Sequence, residues 1–288
     1  MAFLIDIKKK ILSVQGTRKI TQAMELVAAS RMKSFQRKAL ASRAYAKALV
    51  GGLHEARAVW GELGFAEQRE KGKTLFVIVT SDKGLCGSLN QQLIRTLLRE
   101  PRWVALPEDE KVLMTIGRKS YDAMAARNIS VAKRYDGLKE DMRPLDALTI
   151  VHEIISYWMS GEVREVLFVQ PLYVNAFTTN VRVKQYLPFT ENMVEVPSTN
   201  SSPDLFFEPD REELIEKLVE QLLESLFSEA FFELKACEYS SRMVAMKNAT
   251  TAAGDMVKAL TLEYNKARQS AITQQLAELA GAGAAMGT

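Results

Sequence analysis

Along the first sixty residues, apolar and small positions return alternately every three and four residues. The run is Leu4, Ile7, Ile11, Val14, Arg18, Thr21, Glu25, Ala28, Met32, Phe35, Ala39, Ser42, Ala46, Leu49, Leu53, Ala56 and Trp60. That spacing is the heptad seam of a helix built to lie against another helix. Gly16 is the only breaker before Gly51 and Gly52. The pattern therefore predicts one helix from near Phe3 to the high fifties, about 85 Å long. Arg18, Thr21 and Glu25 interrupt the apolar run, and polar seam positions either fix register or face a third surface.

A second seam closes the chain. From Asp210 to about Ala280 there is no proline and one glycine, Gly254. Ile215, Val219, Leu222 and Leu226 follow the heptad rule, and Ala230, Leu234, Cys237, Ser241 and Val244 extend it through a doubled four-residue step. Such a stutter relaxes a left-handed supercoil locally. A single helix of about 100 Å does not fit inside a compact domain and needs a partner helix.

Charge names the partner. Residues 1 to 60 carry twelve Lys or Arg against three Asp or Glu, whereas residues 205 to 240 carry ten acidic residues against three basic ones. Opposite fields along the flanks set orientation, so the two terminal helices are expected to pair antiparallel. If the middle of the chain joins both at one level, residue 58 faces about residue 210 and residue 1 faces about residue 267. Everything past Arg268 then overhangs as a single helix of roughly twenty residues, about 30 Å. A lone Ala- and Gly-rich helix is marginal in water and has to be enclosed by something else.

The middle of the chain has a different period. Thr74 to Thr80 is a short apolar β run, followed by the turn Ser81 to Gly87 and a helical stretch from Asn90 to Arg99. Strands are expected at Lys111–Ile116, Ile129–Tyr135 and Glu165–Gln170, with helices at Ser120–Arg127 and Asp146–Met159 between them. An edge strand at Phe177–Leu187 completes the set. This alternation means a small parallel open sheet with helices on its faces. The fold class is α+α/β, a long antiparallel coiled coil of the N- and C-terminal helices plus a small Rossmann-like open-sheet α/β domain. The expected division is 1–60 for the first helix, 73–190 for the α/β domain, 191–209 for a Pro- and Ser-rich linker and 210–288 for the last helix with its single-helix tip.

Composition excludes several function classes. The 288 residues carry a formal net charge of only +3, which does not advertise a polyanion partner. No apolar run approaches the ~20 residues of a spanning helix, and MAFLIDIKKK lacks the uncharged core of a secretory signal. A soluble intracellular chain is expected, one that can still dock on a membrane complex. Cys86 and Cys237 are too few for a disulfide framework and have no metal-ligand spacing, so both are expected to be reduced.

Gly84 and Gly87 invite comparison with a dinucleotide fingerprint, but GxGxxG and the P-loop are absent. Cys86 could act as a nucleophile only with a base. The two histidines, His54 and His152, fall on the first long helix and inside a crossover helix. Two rival readings stand beside a rod-forming subunit: a free-standing coiled-coil scaffold or nucleic-acid adaptor, and a small α/β enzyme using Cys86. Neither a cofactor nor a metal is expected.

Four stretches then carry a resemblance. YNKARQSAITQQLAEL, SRMVAMKNATTAAGD upstream of it, KITQAMELVAASRM at 19 to 32 and SDKGLCGSLN at 81 to 90 together resemble the gamma subunit of F-type ATP synthases, in order and over essentially the full chain. The resemblance implies a non-catalytic central rotor stalk. It couples proton flow through the membrane c-ring to ATP synthesis or hydrolysis in a hexamer of alpha and beta subunits, with epsilon at the base. It implies no nucleic-acid partner, no cofactor, and association with a membrane through the complex only, at the cytoplasmic face of the bacterial plasma membrane.

It also implies site residues. Arg242 and Gln269, with Thr273 one turn further, resemble polar contacts to a loop of beta, and Met24 corresponds to a position beside beta's moving lever. Asp82, Lys83, Leu85 and Cys86 would face epsilon or the c-ring, and Glu208, in FFEPD, resembles an acidic position near the base. Ser88 stands where the family commonly has Gly. The thiol-bearing insert of the chloroplast version is not evident, so no redox switch is expected.

Overall fold

The structure, a computed structural model, describes residues 2–55, 64–189 and 211–286. The linker expected over 191–209, Glu208 within it, and the last seam positions of the first helix, Ala56 and Trp60, lie outside the described residues, as does the side chain of Leu53.

Two long helices bracket a five-stranded sheet. Helix α1 spans Ala2–Glu55 and the last helix, α6, spans Arg211–Met286. Between them run β1 (Lys73–Val79), α2 (Leu89–Arg99), α3 (Pro101–Ala105), β2 (Lys111–Ile116), α4 (Arg118–Ala125), β3 (Lys133–Tyr135), α5 (Pro144–Met159), β4 (Val163–Tyr173) and β5 (Thr179–Leu187). The strand order is β3-β2-β1-β4-β5. The first four strands are parallel, and β5 returns antiparallel on β4.

Several elements depart from expectation; β4 runs longer than Glu165–Gln170, and α4 begins and ends two residues before Ser120–Arg127. Strand β3 keeps only the last three residues of the run read from Ile129. Helix α3 was not foreseen, because Pro101 reads as a stop to α2; it also serves as the first residue of a new helix, where its missing N–H costs nothing. Helix α5 starts at Pro144 rather than Asp146, with the Asp146 carboxylate reaching back to the Arg143 N–H at 3.2 Å.

The chain forms two compact units, Met1–Ala28 with Met243–Thr288, and Ala29–Arg242. In the first, α1 and α6 run antiparallel. Thr21 and Thr250 share a hydrogen bond of 2.8 Å, and a side chain added at Gly254 would meet the Arg18 guanidinium at 3.6 Å. The seam residues Ile7, Thr21 and Ala28 are buried, and Leu4, Ile11, Val14 and Glu25 are half-buried. Past Arg268 only Ala271 is even half-buried among the residues whose exposure is described.

In the second unit the same two helices continue the pairing. Phe35 stacks on Tyr239 with ring centroids 5.6 Å apart. Ser42 and Ser225 exchange hydrogen bonds, each hydroxyl donating to the other's carbonyl, at 3.1 and 3.3 Å. These partners stand within about two turns of the register expected from the sequence.

The sheet of this unit is covered on both faces. Phe76 pairs in register with Leu167, so both point to one face, where Phe76 meets Trp103 of α3 edge-on at 4.9 Å. The next residue, Phe168, points the other way and meets Phe227 of α6. Trp158, Phe76, Phe168, Phe227 and Phe231 are among the largest fully buried side chains. Each contributes roughly 1.5–3 kcal/mol or more by leaving water. Unlike the two-sided helix its seam suggests, α6 is buried on nearly every side from Leu222 to Ser240, because it lies between α1 and the sheet.

Candidate functional site

The turn after β1 is organised by side chains that point inward. The Thr80 N–H donates to the Ile116 carbonyl at 2.7 Å, which draws the ends of β1 and β2 together. Gly117 has φ 92°, and a Cβ there would lie 2.0 Å from the Thr80 oxygen, so only glycine fits. Asn90 at the start of α2 then staples the turn: its Oδ1 accepts the Ser81 N–H at 3.1 Å, and its Nδ2 donates to the Ser81 hydroxyl at 2.8 Å and the Cys86 sulfur at 3.2 Å.

Two of the residues expected to face a partner make their contacts within the chain. Cys86 is 2% exposed, its thiol held by Asn90 and Ser81 inside the turn, so it supports the surface rather than forming it. Asp82 is half-buried, and its Oδ1 accepts the Arg118 N–H at 2.9 Å, placing a carboxylate at the positive end of α4. What the turn presents is Lys83, Gly84 and Leu85, all exposed. Leu85 is 64% exposed and adopts φ 62°, a left-handed conformation that costs a branched residue on the order of 1–2 kcal/mol.

Arg242 ties this turn to α6. It is 8% exposed; its Nη2 donates to the Gly84 carbonyl at 3.2 Å and to Glu238 Oε1 at 2.7 Å, and its guanidinium lies 5.1 Å from the Tyr239 ring. Lys235 holds the other oxygen of Glu238 at 3.1 Å. A Cβ on Gly87 would come within 3.9 Å of the Ser241 carbonyl. On the opposite side of the helix, Ser240 donates to the Ala176 carbonyl in the β4–β5 hairpin. In a sheet of this order the crevice beyond the ends of β1 and β4 is where nucleotides usually bind. Here the chain's own α6 abuts the β1 turn at that end of the sheet.

The other expected contacts belong to the first unit. Met24 is half-buried on α1. Gln269 and Thr273 are exposed on α6, and the Thr273 hydroxyl donates to the Gln269 carbonyl at 3.0 Å. Given the pairing of Thr21 with Thr250, the level of Gln269 is roughly 30 Å along the helix from that of Met24. Arg242 thus joins the turn that carries Lys83 and Leu85, not the stretch that carries Gln269.

Charge is arranged differently from the simple picture of opposed flanks. On α1, Arg43 binds Glu229 at 3.2 Å and also binds Glu233, but Arg182 of β5 shares both carboxylates, at 4.0 and 3.6 Å. Burial raises the Glu233 carboxyl above its ordinary range against the pull of Arg182 and Arg43, and burial lowers Lys184 beside them. Arg31 and Lys38 turn to Glu140 and Asp141 ahead of α5. Lys8, Lys9, Lys10, Lys19, Lys33, Arg37 and Lys47 form no ion pair among the described residues. The sequence could have flagged the buried cluster through the one-turn spacing of Glu229 and Glu233, although on a helix read as two-sided those carboxylates look solvated.

The described residues contain no group of three or more His, Cys, Asp or Glu able to hold a metal ion, and no helix among them is long and apolar enough to cross a membrane.

Comparison with known proteins decides the family. A family model described as ATP synthase matches residues 4–286. An ATP synthase gamma chain of Legionella pneumophila (strain Corby) is 35% identical over 99% of this chain and 100% of its own length. That of Geotalea uraniireducens is 34% identical over 97% of each. The chain belongs to the ATP synthase gamma-chain family. Gamma chains are non-catalytic rotor subunits, which agrees with a sheet whose usual ligand crevice meets the chain's own helix. Solved structures share the fold. A chain of the Euglena gracilis mitochondrial ATP synthase OSCP/F1/c-ring assembly aligns with a TM-score of 0.68 at 16% identity, covering 99% of this chain and 95% of that one. A chain from the central stalk and c-ring of the Tetrahymena thermophila mitochondrial enzyme aligns at 0.61 and 24% identity, over 80% of this chain and 99% of that one.

Proposed function

We propose that this gamma chain is the central rotor stalk of an F-type ATP synthase. It couples rotation of a membrane c-ring, driven by protons, to ATP synthesis or hydrolysis in a surrounding hexamer of alpha and beta subunits. The observation that carries the reading is the antiparallel α1–α6 pair, seen in both units and continued by an exposed single helix past Arg268. Such a tip is stable only when enclosed.

Within that reading Gln269 and Thr273 face beta subunits from the exposed tip, and Met24 lies beside a moving part of beta. Lys83 and Leu85 meet epsilon or the c-ring. Asp82, Cys86 and Arg242 act from beneath, by holding the turn in shape. Glu208 is proposed as an acidic contact near the base from the family motif alone. The cationic residues of α1 that form no ion pair among the described residues are available to acidic surfaces of the hexamer. The chain is a peripheral part of a membrane-bound complex, placed on the cytoplasmic face of the bacterial plasma membrane, and functionally divides at 1–60, 73–190, 191–209 and 210–288.

Affinity purification through a tag on this chain tests the reading. Alpha, beta and epsilon subunits should co-purify in a particle that hydrolyses ATP. A chain recovered alone, or with nucleic acid released by salt, would favour the adaptor instead.

A further inference from the structure

On the sheet face turned away from α6, α2 and α4 enclose a groove of about 530 Å³. Its floor is apolar, made by Ile94, Leu98 and Ala123, and its rim is cationic, made by Arg95, Arg99 and Arg127. Arg95 and Arg99 stand one turn apart on α2, and neither forms an ion pair among the described residues. Among the described residues the Arg127 guanidinium donates only to the Ala123 carbonyl, at 2.7 Å. The neighbouring carboxylates are engaged elsewhere, Glu100 with Arg102 at 3.0 Å and Asp122 with Arg118 at 3.6 Å. Three guanidinium groups therefore surround an open apolar trough with no countercharge inside it.

We propose that the α2–α4 groove docks an acidic amphipathic helix of a partner protein. A trough between two helices accepts a third by the i, i+3, i+4 spacing of its apolar anchors, and the small Ala123 lets its backbone approach. The two arginines one turn apart on α2, with a third across the trough, match carboxylates repeated along a helix, and guanidinium groups bind these bidentately. A phosphate ligand is less well served. Arg99 and Arg127 stand at or just past the C-terminal ends of α2 and α4, where the helix dipoles are negative, and the groove offers neither a helix N-terminus nor a glycine-rich turn. A bilayer surface does not reach the floor of a concave trough.

The inference rests on the reading of the chain as a subunit of a larger assembly, and the test separates the two. Gln91, which also lines the groove, is replaced by a photo-crosslinking benzoyl-phenylalanine in the tagged chain. The complex purified with it is irradiated, and the adducts are mapped by mass spectrometry. The expected product is an adduct on an acidic helical segment of another subunit, with a yield that falls about tenfold in Arg95→Glu/Arg99→Glu and falls with added salt. Both arginines are exposed on α2, so the variant should fold with an unchanged Tm; the salt titration carries the test if it does not. An adduct confined to lipid or nucleotide, an adduct on a segment without acidic residues, a yield indifferent to charge and salt, or no adduct overturns the groove assignment. A chain that brings no other subunit with it overturns the stalk reading instead.

Discussion

Arg242 on α6 and Gly84 in the turn after β1 are joined by one hydrogen bond of 3.2 Å, from a guanidinium that is nearly excluded from water. Removing it leaves the buried Glu238 with Lys235 as its one cation among the described residues and frees the turn that presents Leu85. Arg242→Ala should lower the stability of the second unit by about 2 kcal/mol, less than a fully orphaned buried charge because Lys235 remains. Chemical denaturation of the chain measures this, and an unchanged midpoint would return Arg242 to the role of a partner contact only.

Leu85 spends backbone energy on an exposed side chain. Leu85→Gly relieves the left-handed strain at φ 62° and should leave the chain as stable as before or about 1 kcal/mol more so. The same change should weaken retention of epsilon or the c-ring during purification. Loss of stability without any effect on assembly would mean that Leu85 serves the fold.

Thr21 and Thr250 join the two helices through a polar pair within the seam. Thr21→Val takes from the Thr250 hydroxyl its partner on α1, leaving it the Met246 carbonyl of its own helix at 2.8 Å, and should cost about 1 kcal/mol, whereas the double change to Val should cost less than the sum of the singles. A double-mutant cycle by thermal denaturation gives the coupling; strict additivity would show that the pair does not set register.

Burial pushes the Cys237 thiol up to about 12. An unfolded cysteine ionises near ~8.5. Between these values the unfolded state releases a proton that the folded state keeps, so the unfolded state binds fewer protons and stability falls as pH rises. The contribution is intact below pH ~8.5 and is lost at up to about 1.4 kcal/mol per pH unit above it. Cys237→Ala should flatten the alkaline decline in a series of denaturation curves; identical slopes in both proteins would contradict the buried, neutral thiol.

Ala39 is 6% exposed on the seam face of α1. Ala39→Pro removes a helix hydrogen bond and adds a clash, at about 3 kcal/mol or more. Assembly or proton-driven ATP synthesis should fall, and membranes of the variant that make ATP at the normal rate would speak against a stiff shaft.

Much of this was legible in the chain because helix pairing writes itself as a period. The seam from Leu4 to Leu49 reappears almost residue for residue as the less exposed face of α1, with Arg18 the exposed exception beside Gly254. Strand β2 was readable to its ends, since a parallel strand buried on both faces is a continuous apolar run. What stayed hidden depends on tertiary contact. Glu229 and Glu233 look like a solvated flank until β5 brings Arg182 beside them, and the Glu238–Arg242 pair, one turn apart on α6, looks equally exposed until the β1 turn packs on it. Cys86 and Asp82 sit in a motif that reads as a surface, yet only coordinates reveal which side chains of a tight turn point inward.

Rotation is the most direct measurement of the central claim. The native cysteines, Cys86 and Cys237, are buried, so a single exposed thiol introduced by Ser130→Cys can be labelled with a probe while the hexamer is fixed to a surface. Stepwise turning of the probe in one direction during ATP hydrolysis is the expected result. A probe that stays still while the immobilised complex hydrolyses ATP at its normal rate would contradict it.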